Sequence, residues 1–101
     1  MIVVNARIEA TEATISALKD AILKMEAASQ AEDGCHDYTF SVELGNPNAL
    51  RITEKWADMA ALEAHFATPH MAELQQAMAS NPPQGVEAHF YEATEVPGPG
   101  R

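Results

Sequence analysis

The run Cys35-His36-Asp37-Tyr38-Thr39-Phe40-Ser41-Val42-Glu43-Leu44, then Gly45-Asn46-Pro47-Asn48, then Ala49-Leu50-Arg51-Ile52-Thr53-Glu54-Lys55-Trp56, occupies the middle of the chain. Its first segment alternates, with His36, Tyr38, Phe40, Val42 and Leu44 on one side and Cys35, Asp37, Thr39, Ser41 and Glu43 on the other. A period of two is the signature of a strand. The alternation resumes from Ala49 to Trp56, and Gly45 to Asn48 are turn residues, so the two segments read as an antiparallel hairpin with a loop of about four residues.

Upstream, Ile2 to Ala10 also alternates and reads as a strand. Thr11 can cap a helix that buries Ile15, Leu18, Ile22 and Met25, reaches about Ala31 and stops at a left-handed Gly34. Downstream, Asp58 can cap a short helix with Met59, Leu62 and Phe66 on its apolar side. Thr68-Pro69 is a fresh helix start, followed by Met71, Leu74 and Met78, and Asn81-Pro82-Pro83 ends it. Val86 to about Val96 supplies a last strand. The order is β-α-β-β-α-β with the second helix broken near Thr68. This is the ferredoxin-like, split βαβ form of an α+β fold, an antiparallel sheet with helices on one face. One domain is expected over residues 1–96, with a flexible tail over 97–101.

Composition narrows the partners. The formal charge of −9 repels phosphate, and no Lys/Arg cluster offsets it, so neither nucleic acid nor an anionic membrane is expected to bind. A lone Cys35 makes no internal disulfide, and no apolar run suits a signal peptide or a membrane span, which fits a cytoplasmic protein. Of 47 hydrophobic residues 19 are Ala, leaving 28 larger apolar side chains for helices, pocket and sheet. A second copy covering the open sheet face is the economical answer, giving a homodimer.

Glu32-Asp33-Gly34-Cys35-His36-Asp37-Tyr38, Glu54-Lys55-Trp56, Leu62-Glu63-Ala64-His65 and Thr68-Pro69-His70-Met71 together resemble the antibiotic biosynthesis monooxygenase superfamily, above all its small cofactor-independent quinol monooxygenases. The resemblance implies a dimeric α+β barrel with a pocket in each subunit between helices and sheet. It also implies oxygenation of a small quinol or hydroxylated aromatic by dioxygen, without metal or flavin. In the haem-degrading branch an Asn in the first strand, a Trp and a haem-ligating His are used. Asn5 can match the first, but His65 and Gln75 stand at the other two positions, so haem chemistry is not implied.

Glu54 is a carboxylate on the apolar side of a strand, with Leu50, Ile52 and Trp56, where burial would turn it into a usable acid or base or else make it a structural acceptor. His65 and His70 flank the helix break and can converge on one cavity. Imidazole is the natural base for a phenolic proton, and packing or helix capping is the alternative use of each. These three are the candidate catalytic residues. Trp56, Tyr38, Asn5, His36 and Phe66 are the candidate substrate-binding residues, each also explicable as core or surface. Cys35 is expected to point away from His36 and Tyr38. No dedicated metal is expected, because the His residues lack the i, i+4 spacing of an unbroken helix. A barrel that binds or senses an apolar small molecule without turnover fits the same residues, and a purely structural dimerisation module fits the fold alone.

Overall fold

A computed structural model describes residues 1–100. The elements run β1 (Ile2–Glu9), α1 (Glu12–Gln30), β2 (Cys35–Glu43), β3 (Asn46–Trp56), α2 (Met59–Phe66), α3 (Pro69–Ser80) and β4 (Gly85–Glu92). The four strands form one antiparallel sheet in the order β2-β3-β1-β4, the ferredoxin-like arrangement expected.

Each helix begins where a side chain can satisfy an orphan N–H. Thr11 accepts from the Thr14 amide at 3.1 Å, Asp58 from Ala61 at 2.9 Å and Thr68 from Met71 at 3.3 Å, with Pro69 in the first helical turn of α3. Gly34, at φ +79, turns the chain from α1 into β2.

The hairpin is tighter than the turn residues suggest. Glu43 pairs with Asn46, so Leu44 and Gly45 alone form the loop, and a register shift beyond Val42 takes up the surplus residues of β3. Asn48 is drawn into the sheet because its carbonyl accepts from Ala10 (2.8 Å) and its side chain from the Glu12 amide (3.1 Å). The last strand stops at Glu92 instead of Val96. It pairs residue for residue with β1 until Glu92 meets Ile2, and two further bonds, from the Ala93 amide to the Met1 carbonyl and from the Met1 ammonium to the Ala93 carbonyl, exhaust the partner strand. Pro97 to Gly100 carry no helix or strand, and Arg101 lies outside the described residues.

The core joins Ile2, Val4 and Ile8 of β1, Leu18, Ile22 and Met25 of α1, Leu50 and Trp56 of β3, and Tyr38, Leu62 and Leu74. Burying such side chains contributes roughly 1.5–3 kcal/mol each. The helices cover β1 to β3 and leave β4 bare, so Val86 and Phe90 are exposed although they share the helix side of the sheet. The far face is open and polar. There Glu43 accepts from both Arg7 (2.7 Å) and Arg51 (2.8 Å), which holds its carboxyl below the usual range. No helix among the described residues is long and apolar enough to cross a membrane.

Candidate functional site

At the end of the sheet nearest the α2–α3 break, three elements bring their polar side chains together. Gly34 comes so close to α2 that a Cβ on it would stand 2.8 Å from the Ala61 Cβ, and its carbonyl accepts from Ala57 at 2.8 Å. The turn it anchors is held from the other side by the Glu32 amide on the Ser29 carbonyl (3.0 Å). Glu32 is thereby aimed at the helix break. There Thr68 ends α2 with a bond from its hydroxyl to the His65 carbonyl (2.7 Å) and starts α3 as its cap.

The result is one carboxylate oxygen shared by two imidazoles. Glu32 Oε2 lies 2.7 Å from His65 Nδ1 and 2.7 Å from His70 Nε2. An ionised carboxylate only accepts, so each ring presents an N–H to it, and neutral rings then carry their lone pairs on His65 Nε2 and His70 Nδ1. His65 is 1% exposed, whereas the His70 and Glu32 side chains are 17% and 14% exposed, so the constellation runs from the core to the surface.

Behind it stands an aromatic cluster. The His65 ring is 4.6 Å from Trp56, 5.3 Å from Tyr38 and 5.7 Å from Phe66, centroid to centroid. Trp56 donates its indole N–H to Glu54 Oε1 at 2.9 Å. Burial pushes the Glu54 carboxyl above its ordinary value, while the Trp56 bond pulls it back. Burial, and then the charge of Glu54, hold the Tyr38 phenol well above its ordinary value.

The placement corrects three sequence-based assignments, those of His36, Cys35 and Asn5. His36 does not share a face with Tyr38: it is the extra residue of a bulge between Cys35, which pairs with Trp56, and Asp37, which pairs with Lys55, and its side chain is exposed. The same bulge turns Cys35 onto the side of Tyr38, against the core, where burial and the neighbouring Glu32 raise its thiol pKa. Asn5 lies on the opposite face of the sheet, between Thr53 and His89. Phe66 meets His65 with a ring edge but is 49% exposed, so it borders the cluster without filling it. Glu32 does not stand out in the sequence, since a carboxylate in a short turn after a helix looks like a solvated loop residue.

The cluster itself is packed. A separate groove of about 420 Å³ opens between α1 and the β2–β3 hairpin, with Ile15, Ile22, Phe40 and Leu50 in its wall and Lys19 and Glu26 at its edge. Its Phe40 ring lies 5.7 Å from Tyr38, which links the groove's wall to the cluster.

A model of the antibiotic biosynthesis monooxygenase family matches residues 1–77. The chain belongs to this family. A curated relative is YgiN of Escherichia coli strain K12, named a probable quinol monooxygenase, 31% identical over an alignment of 70 residues, with 61% of this chain and 67% of the relative covered. Among solved structures, a Deinococcus radiodurans protein provisionally assigned to the antibiotic biosynthesis monooxygenases superposes with a TM-score of 0.90 at 25% identity, covering 100% of both chains. PA3566 from Pseudomonas aeruginosa superposes at 0.82 with 26% identity, covering 93% of this chain and 94% of that one. The family match takes in β1 to β3, α2 and most of α3, and therefore Glu32, Glu54, Trp56, His65 and His70.

Proposed function

We propose that this antibiotic biosynthesis monooxygenase family member oxygenates a small quinol or hydroxylated aromatic with dioxygen, as a cytoplasmic homodimer and without a metal or flavin in that reaction. The observation that carries the reading is the Glu32-oriented pair His65 and His70 set against the Trp56–Tyr38 aromatic cluster. In this reading His70 Nδ1, on the more exposed ring, takes a phenolic proton from the quinol, and Glu32 stabilises the imidazolium that forms. The anion transfers an electron to dioxygen, the resulting radical pair joins through a new C–O bond, and the peroxide loses water as its O–O bond breaks. One quinol and one dioxygen yield one hydroxyquinone and one water, so no outside reductant enters. Trp56 and Tyr38 pack against His65 and keep water from that buried ring.

A second reading is favoured by one feature: the groove beside α1 has an apolar wall and lies apart from Glu32, His65 and His70. In that reading the protein holds an apolar small molecule without turning it over.

The test uses untagged, chelator-treated protein with a panel of hydroquinones, catechols and hydroxynaphthols under isotopically heavy dioxygen. Protein-dependent oxygen uptake, one labelled oxygen in the product and a loss of about a hundredfold or more in His70→Ala support the oxygenase. Binding of panel members with no uptake above the uncatalysed rate supports the second reading and overturns the first.

A further inference from the structure

Glu32 Oε2, His65 Nδ1 and His70 Nε2 lie within 4.8 Å of one another, each from a different segment: the turn after α1, the end of α2 and the first turn of α3. We propose that these three atoms form a site for one divalent transition ion of the zinc or cobalt type. Occupancy of this site does not depend on turnover of any quinol.

The donor set selects the ion. Two imidazole nitrogens and one carboxylate oxygen suit borderline metals such as zinc and cobalt, whereas magnesium and calcium require oxygen cages. Bonds of about 2.1 Å around a tetrahedral ion place donors about 3.4 Å apart. The carboxylate oxygen stands 2.7 Å from each nitrogen, so admitting an ion requires less than about 1 Å of spreading per contact. Glu32 and His70 are partly exposed and give access, while Trp56 and Tyr38 fix the plane of the His65 ring.

The framework is built before the ion arrives. Gly34 locks the Glu32 turn onto α2, and Thr68 fixes the angle between α2 and α3. No donor has to be recruited from a mobile segment. Proton bookkeeping is also favourable, because each neutral ring moves its proton from the Glu32-facing nitrogen to the other one and the ion occupies the vacated lone pair. Three protein donors leave at least one coordination position for water or a small ligand. In the loaded state His70 Nδ1 carries a proton, so metal binding and the base role proposed above are alternative states of one site.

The experiment is a titration of untagged, chelator-treated, full-length protein with Co²⁺ in the absence of quinol, followed by calorimetry and visible absorption. The expected result is one equivalent bound with a ligand-field band that Zn²⁺ abolishes by competition. Glu32→Gln and His70→Ala should each weaken binding by about tenfold or more. His89→Ala, on an exposed side chain of β4, should leave it unchanged. Circular dichroism confirms that each variant is folded, and Glu32→Gln stands alone as the test if His70→Ala is not. Absence of a one-equivalent phase, or wild-type affinity in folded Glu32→Gln, overturns the proposal. The quinol oxygen-uptake assay is separate, so either reading can fail without the other.

Discussion

His65 and His70 belong to two different helices, yet their ring nitrogens meet at the same Glu32 oxygen, each at 2.7 Å. On an unbroken helix five residues turn through about 500°, which would leave the two rings about 140° apart. The Thr68-Pro69 restart cancels that divergence. Thr68 works twice, closing α2 through its hydroxyl and capping α3 through its oxygen. Thr68→Ala should therefore lower stability by about 1 kcal/mol, with a fall in Tm of about 4–8 °C. It should also loosen His70 more than His65, which nitrogen chemical shifts of the two rings would report. A variant that loses stability while both ring signals stay in place would show that Thr68 caps without positioning.

Gly34 makes the complementary prediction. Its positive φ is poorly suited to any L side chain, and an added methyl would collide with Ala61 at 2.8 Å. Gly34→Ala should cost about 2–4 kcal/mol, combining the strained backbone with overpacking against α2. Gly45→Ala, where nothing lies within 4 Å, should be close to neutral. Denaturant melts of the two variants give the comparison. Equal effects would mean that the approach of the turn to α2 is not what holds Glu32 in place.

Much of this arrangement could be read from residue order, and the exceptions share one cause. Alternation locates the first three strands, and cap residues locate the starts of α1, α2 and α3, because both are local signals. The convergence of His65 and His70 was legible as a possibility from Thr68-Pro69 alone. What alternation does not carry is a bulge: one surplus residue at His36 reversed the side assigned to it and brought Cys35 inward. Strand ends were equally opaque, since β4 stops where its partner runs out and not where its own pattern does. Glu32 is not legible as a site residue because its importance comes from two long-range neighbours, His65 and His70, neither of which leaves a mark in the residues beside it.

Glu54 sets a pH dependence of known sign. Burial raises its folded-state pKa, so protonation favours the folded chain. Its contribution is fully present below the ordinary carboxylate value, where both states are protonated. It is lost as pH rises through the raised folded value, because the unfolded chain gives up its proton first. Glu43 has the opposite sign: its lowered pKa makes its contribution present above the ordinary carboxylate value and lost as pH falls. The difference between wild type and Glu54→Gln separates the two. That variant keeps an oxygen for the Trp56 N–H and should gain stability relative to wild type as pH rises above the carboxylate range. Parallel stability curves for the two proteins over that range would contradict the assignment.

The Trp56–Glu54 bond should show its worth as a coupling. Trp56→Phe removes the donor to a buried carboxylate and shrinks a ring with 0% exposure, so a loss of about 3 kcal/mol or more is expected. Part of that loss comes from leaving Glu54 without its donor, and it should shrink when Glu54 is already Gln or Leu. A double-mutant cycle by urea denaturation reads the coupling directly, and additive effects would mean that the cost is packing alone.

Ser29 points the other way, toward stabilisation. It is fully buried near the end of α1, and among the described residues its hydroxyl has no hydrogen-bond partner. A buried hydroxyl stripped of water without a replacement costs about 1–3 kcal/mol, and Ala is also the better helix former. Ser29→Ala should therefore raise stability by about 1 kcal/mol and Tm by about 4–8 °C. The neighbouring bond from the Glu32 amide runs to the Ser29 backbone carbonyl, at 3.0 Å, and survives the change. The turn that carries Glu32 should keep its shape, so Co²⁺ binding by the variant should match wild type. A fall in Tm would instead place a bridging water on the hydroxyl, because the substitution would then break a bond that the fold uses.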